Sequence, residues 1–332
     1  MLVFIVRRTL LGLSTLLFIS AVSFVIIQLP EGDYIDTWYS AVTEGGLNQG
    51  ITVTVEELDK LRALYGLDRP LYIQYVKWVV NLIKFDFGIT LEYSLPVSVL
   101  LREKMLLTVA LAGFTVLFTW LLAIPIGIYS AVRQHSLGDY TFTFVGFIGL
   151  AVPDFLLALV LMYFAFQYFG MSVGGLFSSE YIEAPWSLAR TWDLVQHLWI
   201  PAAVLGTSGT AALVRIMRAN VLDELHKPYV VTARAKGVAE WRLILKYPVR
   251  VALNPFVSTI GYVLPYLISG SIIVSVVLSL PTVGPLLLKA LVQQDMHMAG
   301  TIVMFIGAMT VIGTLLSDIL LMVMDPRIRM RT

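Results

Sequence analysis

The chain has 332 residues, of which 58% are hydrophobic and 14% are charged, with a net charge of +1 and no cysteine. Soluble domains carry about 25% charged and about 45–50% apolar residues, so this composition indicates a protein that lies largely in lipid. The near-zero net charge offers no basic surface for nucleic acid, and the lack of cysteine excludes disulfides, thiolate metal sites and cysteine nucleophiles.

Six apolar segments are candidates for membrane-spanning helices. A helix needs about 20 apolar residues to cross a bilayer core of about 30 Å. The first segment follows Arg7 and Arg8 and is longer than the apolar region of a signal peptide, so we interpret it as a retained helix. The sequence therefore predicts an all-α, polytopic membrane protein with about six transmembrane helices. They fall in residues 9–29, 105–132, 140–170, 198–214, 251–288 and 298–324.

Two of these segments are irregular. The fifth is too long for one straight helix and contains four prolines, which predicts a helix inside a broken apolar stretch. The third contains Asp154 directly after Pro153. A carboxylate at the bilayer centre costs about 2.5–3.5 kcal/mol. Two interpretations of Asp154 stay open: it lines or gates a pathway through the membrane, or it lies near a helix end or caps a proline-broken turn.

The distribution of Lys and Arg predicts the orientation, because these residues favour cytoplasmic loops. With the N-terminus inside, the inside segments carry 14 basic and five acidic residues. We therefore expect both termini to be cytoplasmic. The inside segments are residues 1–8, 133–139, 215–250 and 325–332.

The predicted organisation is one membrane domain with two enlarged loops. Residues 1–29 form the N-terminal transmembrane helix, and residues 30–104 form an extracytoplasmic loop region. Residues 105–324 form the transmembrane core and include the cytoplasmic loop 215–250, and residues 325–332 form a cytoplasmic tail.

The cytoplasmic loop is too long for a simple connector. Apolar residues recur at helical spacing from Leu222 to Ala233, Gly237 then interrupts the pattern, and a second helical stretch runs over residues 238–246. This pattern predicts a helix, a glycine turn and a second helix. By itself it fits either a solvated hairpin or a surface that binds a partner.

The segment YVVTARAKG, from Tyr229 to Gly237, resembles the EAA loop of ABC importer permeases. The similarity is greatest to the version found in dipeptide, oligopeptide and nickel permeases, although Val231 and Thr232 replace the Glu and first Ala of the general motif. Further similar elements occur in family order: LYGLDRP at 64–70, DFG at 86–88 and DPRIR at 325–329.

This resemblance implies a type I ABC importer permease fold, of the first-permease type in peptide and nickel systems. It implies a cytoplasmic (inner) membrane location in a bacterium or archaeon. The substrate would be a peptide or a similar small solute, with nickel and oligosaccharides as alternatives. Ser275 occupies the position of a family glutamate that faces the translocation path, so Ser275 and Asp154 are the candidate path residues.

In this family the EAA loop forms a coupling helix that docks onto an ATPase subunit. The chain would then be no enzyme and bind no cofactor, with ATP and Mg²⁺ held by the ATPases. The implied partners are a homologous second permease, two cytoplasmic ATPase subunits, an extracytoplasmic substrate-binding protein and membrane lipid. The candidate coupling residues are Tyr229, Thr232, Ala233, Arg234, Ala235, Lys236 and Gly237.

Two other functions were weighed. A secondary transporter or channel is expected to show internal repeats or more polar groups within the spans, and the sequence shows neither. An intramembrane serine protease is suggested by the G-x-S-G motif at Ser208, but such a serine needs a neighbouring base. Small residues in a membrane helix more often serve close packing.

Overall fold

A computed structural model describes residues 2–30, 32–44, 54–90, 93, 95–170, 174–270 and 272–324. The predicted tail 325–332, with its DPRIR motif, lies outside these residues. In the described part of the chain, regular structure is helical, as predicted. The helices are α1 (Leu2–Ile27), α2 (Tyr34–Glu44), α3 (Val55–Tyr65), α4 (Leu71–Ile83), α5 (Val97–Val132), α6 (Leu137–Ala151), α7 (Asp154–Phe169), α8 (Leu188–Leu225), α9 (Pro228–Ala235), α10 (Glu240–Lys246), α11 (Pro248–Ala252), α12 (Asn254–Gly270), α13 (Ile272–Val277), α14 (Val283–Val292) and α15 (Met296–Met324).

Four helices, α1, α5, α8 and α15, are long and apolar enough to span a membrane. They correspond to the first, second, fourth and sixth predicted segments. In the third segment, α6 and α7 are bent by 106° and give a fifth span if the pair is counted as one. Helix α8, with 38 residues, is much longer than the predicted segment 198–214 because it continues into polar sequence at both ends.

Pro153 explains the break in the third segment. The residue before a proline disfavours helical geometry, and Val152 is extended, with φ −82° and ψ 125°. Asp154 is then the first residue of α7, where a carboxylate is stabilised by the free N–H groups of a helix N-terminus. The structure therefore shows the proline-broken turn that was one of the two interpretations of Asp154.

The fifth segment is broken, as its prolines predict. It divides among α11, α12, α13 and α14, with Pro265 inside α12. The chain turns between α13 and α14 at Ser279, which has a positive φ of 50°.

The structure forms two compact units. The first unit contains Met1–Ile5, Leu107–Pro281 and Thr310–Thr332, and the second contains Val6–Leu106 and Thr282–Met309.

In the first unit, α6, α7 and α11 pack on α8, which carries 14 buried residues. Helix α5 also approaches α8 closely at Gly127. A Cβ atom on this glycine would lie 2.5 Å from the Cβ of Met217. Small residues permit this approach between membrane helices.

In the second unit, α4 packs against α1 through aromatic rings. The Phe24 ring lies 5.3 Å from the Tyr75 ring and 6.2 Å from the Trp78 ring. Arg62 on α3 forms salt bridges with Asp33 and Asp36 and so links α3 to the start of α2. The described part of the predicted loop region 30–104 thus contains α2, α3 and α4 and the start of α5, which begins at Val97 and not at residue 105 as predicted.

Candidate functional site

The EAA-like segment forms a short helix at the end of α8. Helix α8 ends at Leu225, the chain changes direction at His226 and Lys227, and α9 starts at Pro228. Proline suits the first position of a helix because its missing N–H has no acceptor there. The predicted helix, glycine turn and second helix are confirmed, but the single helical run expected from Leu222 to Ala233 is wrong, since α9 is a separate helix.

Gly237 ends α9 in a left-handed conformation, with φ +78°. The N–H of Gly237 donates to the carbonyl of Arg234 at 3.0 Å, and the N–H of Val238 donates to that of Ala233 at 3.3 Å. This pair of hydrogen bonds is a Schellman motif, which satisfies carbonyls that the helix end would otherwise leave free. A Cβ on Gly237 would meet no atom within 4 Å, so glycine is required here for its backbone conformation and not for close packing.

Helix α9 has one buried and one exposed face. Val230 and Ala233 are buried in a cluster with Leu243, Ile244 and Met217. The structure thus places Ala233 beneath the helix, where it supports packing and is not available to a partner. The other six predicted coupling residues are exposed: Tyr229, Thr232, Arg234, Ala235, Lys236 and Gly237.

Arg234 and Glu240 form a salt bridge across the glycine turn. The Nη2 atom of Arg234 lies 2.6 Å from Oε1 of Glu240, and its Nε atom lies 3.1 Å from Oε2. Because the guanidinium donates hydrogen bonds to the carboxylate, it lowers the pKa of Glu240 and has its own pKa raised. Arg234, a candidate coupling residue, thus already has an acidic partner within this chain.

Two aromatic side chains extend the exposed surface. The Tyr229 hydroxyl donates to the Glu224 carboxylate at the end of α8, and the Tyr229 ring lies 6.1 Å from that of Tyr247. Trp241 on α10 is 62% exposed, and Arg242 lies over its ring. Sequence reasoning missed Trp241, although tryptophan in a polar helix outside the predicted spans is itself a signal of a binding surface.

An ion pair with a buried carboxylate fixes α6 against α8, the helix that leads into α9. Asp139, in the first turn of α6, accepts two hydrogen bonds of 2.9 Å from Nε and Nη2 of Arg218 on α8. The Asp139 carboxylate also accepts from the backbone N–H of His135, at 3.0 Å. Such a two-pronged arginine–carboxylate contact fixes orientation as well as distance. The Asp139–Arg218 pair therefore holds α6 and α8 in one arrangement near the start of the hairpin.

Further along α8 lies a cavity of about 300 Å³, formed with α5 and α12. None of the described residues that line it is charged, and Trp120, Leu205 and Ile216 contribute apolar surface. Five of its residues carry hydroxyl groups: Thr115, Thr119, Ser208, Thr259 and Tyr266.

Neither candidate path residue lines this cavity. Asp154 lies half-buried at the start of α7, and Ser275 is buried in α13 with 1% exposure. Ser208, considered above as a nucleophile, does line it, and its hydroxyl lies 3.3 Å from that of Tyr266. The side chain beside Ser208 in that hydrogen bond is thus a phenol, not the imidazole that a protease mechanism uses.

The sequence was compared with known protein families. Residues 123–330 match the family of binding-protein-dependent transport system inner membrane components, and residues 1–93 match the N-terminal family of the same proteins. The chain belongs to this family. It is a polytopic inner membrane component of a binding-protein-dependent importer with the type I permease fold, and the matched range includes α8, α9 and α10.

Similar proteins extend over nearly the whole chain. The oligopeptide transport system permease protein AppB of Bacillus subtilis is 34% identical over 327 residues, which cover 98% of both chains. A putative peptide permease protein of Brucella ovis is 34% identical over 331 residues, 99% of both chains. A probable peptide ABC transporter permease of Sinorhizobium fredii is 27% identical, over 98% of this chain and 99% of its own.

Proposed function

We propose that this importer component carries peptides, and that α9 is the surface through which a cytoplasmic ATPase drives it. The observation that supports this proposal is the two-sided character of α9. Its inner face is anchored in the core beneath α8, while its outer face presents Tyr229, Arg234 and Lys236 to solvent. A partner that binds the exposed face of such a helix can displace it, and the packing of its buried face transmits the displacement to α8.

Helix α8 links the hairpin to the cavity. It ends at α9 and also contributes the Ser208 side of the cavity. A partner can shift a two-state equilibrium only by contacting the two states differently. In our proposal, closure of the ATPases displaces α9, α8 tilts with it, and the cavity opens alternately to the two sides of the membrane.

The cavity lining agrees with a peptide substrate. Hydroxyl groups both donate and accept hydrogen bonds, so they can pair with the amide groups common to all peptides. The absence of charge from the lining avoids selecting for one side-chain charge. Two relatives at 34% identity are named as oligopeptide or peptide permeases. We therefore propose that the hydroxyl groups of the cavity, and not Asp154 and Ser275, are the main groups that line the translocation path.

The assembly that we propose has both termini of this chain in the cytoplasm. It contains a homologous second permease, two ATPase subunits that hold ATP and Mg²⁺, and an extracytoplasmic substrate-binding protein. The excess of Lys and Arg in the segments placed inside supports this orientation.

Site-specific crosslinking tests the docking role of α9. The chain contains no cysteine, so a single cysteine in place of Val231, which is 53% exposed on α9, is a unique attachment point. In the assembled transporter, Val231→Cys with a short bifunctional reagent should crosslink to an ATPase subunit. The matched control is Trp192→Cys, 64% exposed in the first turns of α8, which should give no ATPase adduct.

An ATPase adduct at position 192 and none at 231 would reverse the proposed orientation. Failure of both positions to crosslink, in a complex that still shows substrate-dependent ATP hydrolysis, would refute docking through α9.

A further inference from the structure

Helix α4 in the second unit has an apolar stripe that the described residues leave largely exposed. Tyr72, Val76, Val79 and Ile83 follow one another at i, i+4, i+7 and i+11, which places them on one helix face. Tyr72 is 70% exposed, Val76 57% and Ile83 73%. A water-soluble protein would normally turn such a stripe toward its core.

The face of α4 opposite the stripe is polar. Gln74, Lys77 and Asn81 share the opposite face, at i, i+3 and i+7. Gln74 donates hydrogen bonds to the carbonyls of Leu67 and Arg69 at 3.2 and 2.7 Å. Lys77 on the same face is exposed, so this side of the helix is open to water.

The contacts of α4 with α1 place it at membrane depth. The hydroxyl of Tyr75 lies 2.9 Å from that of Ser20, and Trp78 packs beside Phe24. Ser20 precedes the end of α1, at Ile27, by seven residues, or about 10 Å at 1.5 Å per residue. Helix α1 is apolar and exposed on both sides of this point, with Leu17 at 61% and Val25 at 59%. The stripe of α4 therefore continues the lipid-facing surface of a spanning helix.

Beneath α4 lies an apolar cavity of about 620 Å³ between α1, α5 and α15. Leu17, Leu82 and Phe305 are typical of its lining, and Arg102 is the one charged residue among the described residues that line it. An apolar cavity of this kind offers water few partners and suits a hydrocarbon chain.

Positive side chains lie at both ends of α4. Arg69 precedes the helix and Lys84 follows it, and both are exposed. Long basic side chains at the edge of an apolar surface can extend to the headgroup level and bind lipid phosphate.

We propose that α4 is an interfacial helix, inserted by its apolar stripe into the leaflet that surrounds the C-terminal end of α1. Phospholipid covers Tyr72, Val76 and Ile83, and an acyl chain occupies the cavity beneath. Arg69 and Lys84 bind the headgroup phosphates. Part of the region 30–104 then belongs to the membrane interface and is not an aqueous loop.

Spin labels on single cysteines test this placement in the full transporter, reconstituted in vesicles of phosphatidylethanolamine and phosphatidylglycerol. Labels at Val76→Cys and Ile83→Cys should collide severalfold more often with oxygen, which concentrates in lipid, than with a water-soluble nickel chelate. The matched control is Lys77→Cys, on the polar face of the same helix. Its label should show the opposite preference.

Two results would overturn the proposal. High collision with the nickel chelate at positions 76 and 83 would place the stripe in water. Low collision with both reagents at these positions would show that a protein subunit covers the stripe.

Discussion

Two ion pairs of the first unit, one at the α6–α8 junction and one in the α9 hairpin, differ in burial. Asp139 is 3% exposed and Arg218 is 28% exposed, whereas Arg234 and Glu240 are 47% and 52% exposed. Removing one partner of a buried pair leaves an unsatisfied charge, but exposed charges exchange partners with water and ions at little cost. The first pair therefore fixes geometry, while the second can open.

This difference in burial suits a coupling element that is rigid at the α6–α8 junction and adaptable at the α9 hairpin. The hydrogen bonds between Asp139 and Arg218 oppose separation of α6 and α8. In the assembly proposed above, Arg234 can release Glu240 and accept a carboxylate from the ATPase subunit. Four predictions test this contrast between the rigid helix junction, including the packing of α5 on α8, and the adaptable hairpin with its glycine turn.

The largest effect is expected from Arg218→Ala. It leaves the buried Asp139 carboxylate without its guanidinium, which should cost about 3 kcal/mol of stability. The measurement is the melting temperature of the purified transporter in detergent. Arg234→Ala is the matched control, and it should shift the melting temperature far less. Equal shifts for the two variants would contradict the contrast in burial.

Close packing of α5 on α8 gives the next effect. Gly127→Val places a side chain where even a Cβ lies 2.5 Å from Met217, and such overpacking should cost about 2 kcal/mol. Gly113→Val, on the same helix, meets no atom within 4 Å and is the control. The same melting measurement should separate the two variants, and a comparable loss at both would mean that helix propensity, not packing, sets the cost.

The hairpin was predictable from sequence because its signals are local. Gly237 ends α9 through its backbone conformation alone, and the glycine turn was predicted on that ground. Pro228, which starts α9, is an equally local signal, but the predicted helical run from Leu222 to Ala233 passed over it. The spans follow from the lengths of the apolar runs, and Pro153 marks the bend in the third.

Other features depend on neighbours that a single sequence does not identify. Asp139 and Arg218 are 79 positions apart, and nothing local pairs them. Periodicity assigned Ala233 to a helix without showing which face of α9 packs inward. The same limitation applies to α4, whose amphipathic pattern is visible but whose uncovered side depends on the position of α1. The cavity residues share no motif, because α5, α8 and α12 bring them together only in the fold.

Gly237→Val tests the turn that joins the two sides of the hairpin. A β-branched residue at φ +78° should cost about 1–2 kcal/mol locally, while asparagine tolerates this conformation better. We expect Gly237→Val to reduce peptide uptake and its coupling to ATP hydrolysis, with normal membrane insertion, and Gly237→Asn to retain most uptake. Uptake by vesicles and ATP hydrolysis are measured together. Normal coupled uptake by the valine variant would show that the shape of the turn is unimportant for coupling.

The smallest effect should come from Glu240→Gln, and it should depend on pH. Arg234 lowers the pKa of Glu240 in the folded protein, so the contribution of the pair is present above the unfolded-state pKa. It is lost as pH falls through the lower, folded-state pKa. The difference in melting temperature between the parent and Glu240→Gln should therefore be small at neutral pH and vanish in acid. In an Arg234→Gln background the same substitution should produce no such trend. A difference that persists unchanged into acid would mean that Glu240 acts through its shape and not through its charge.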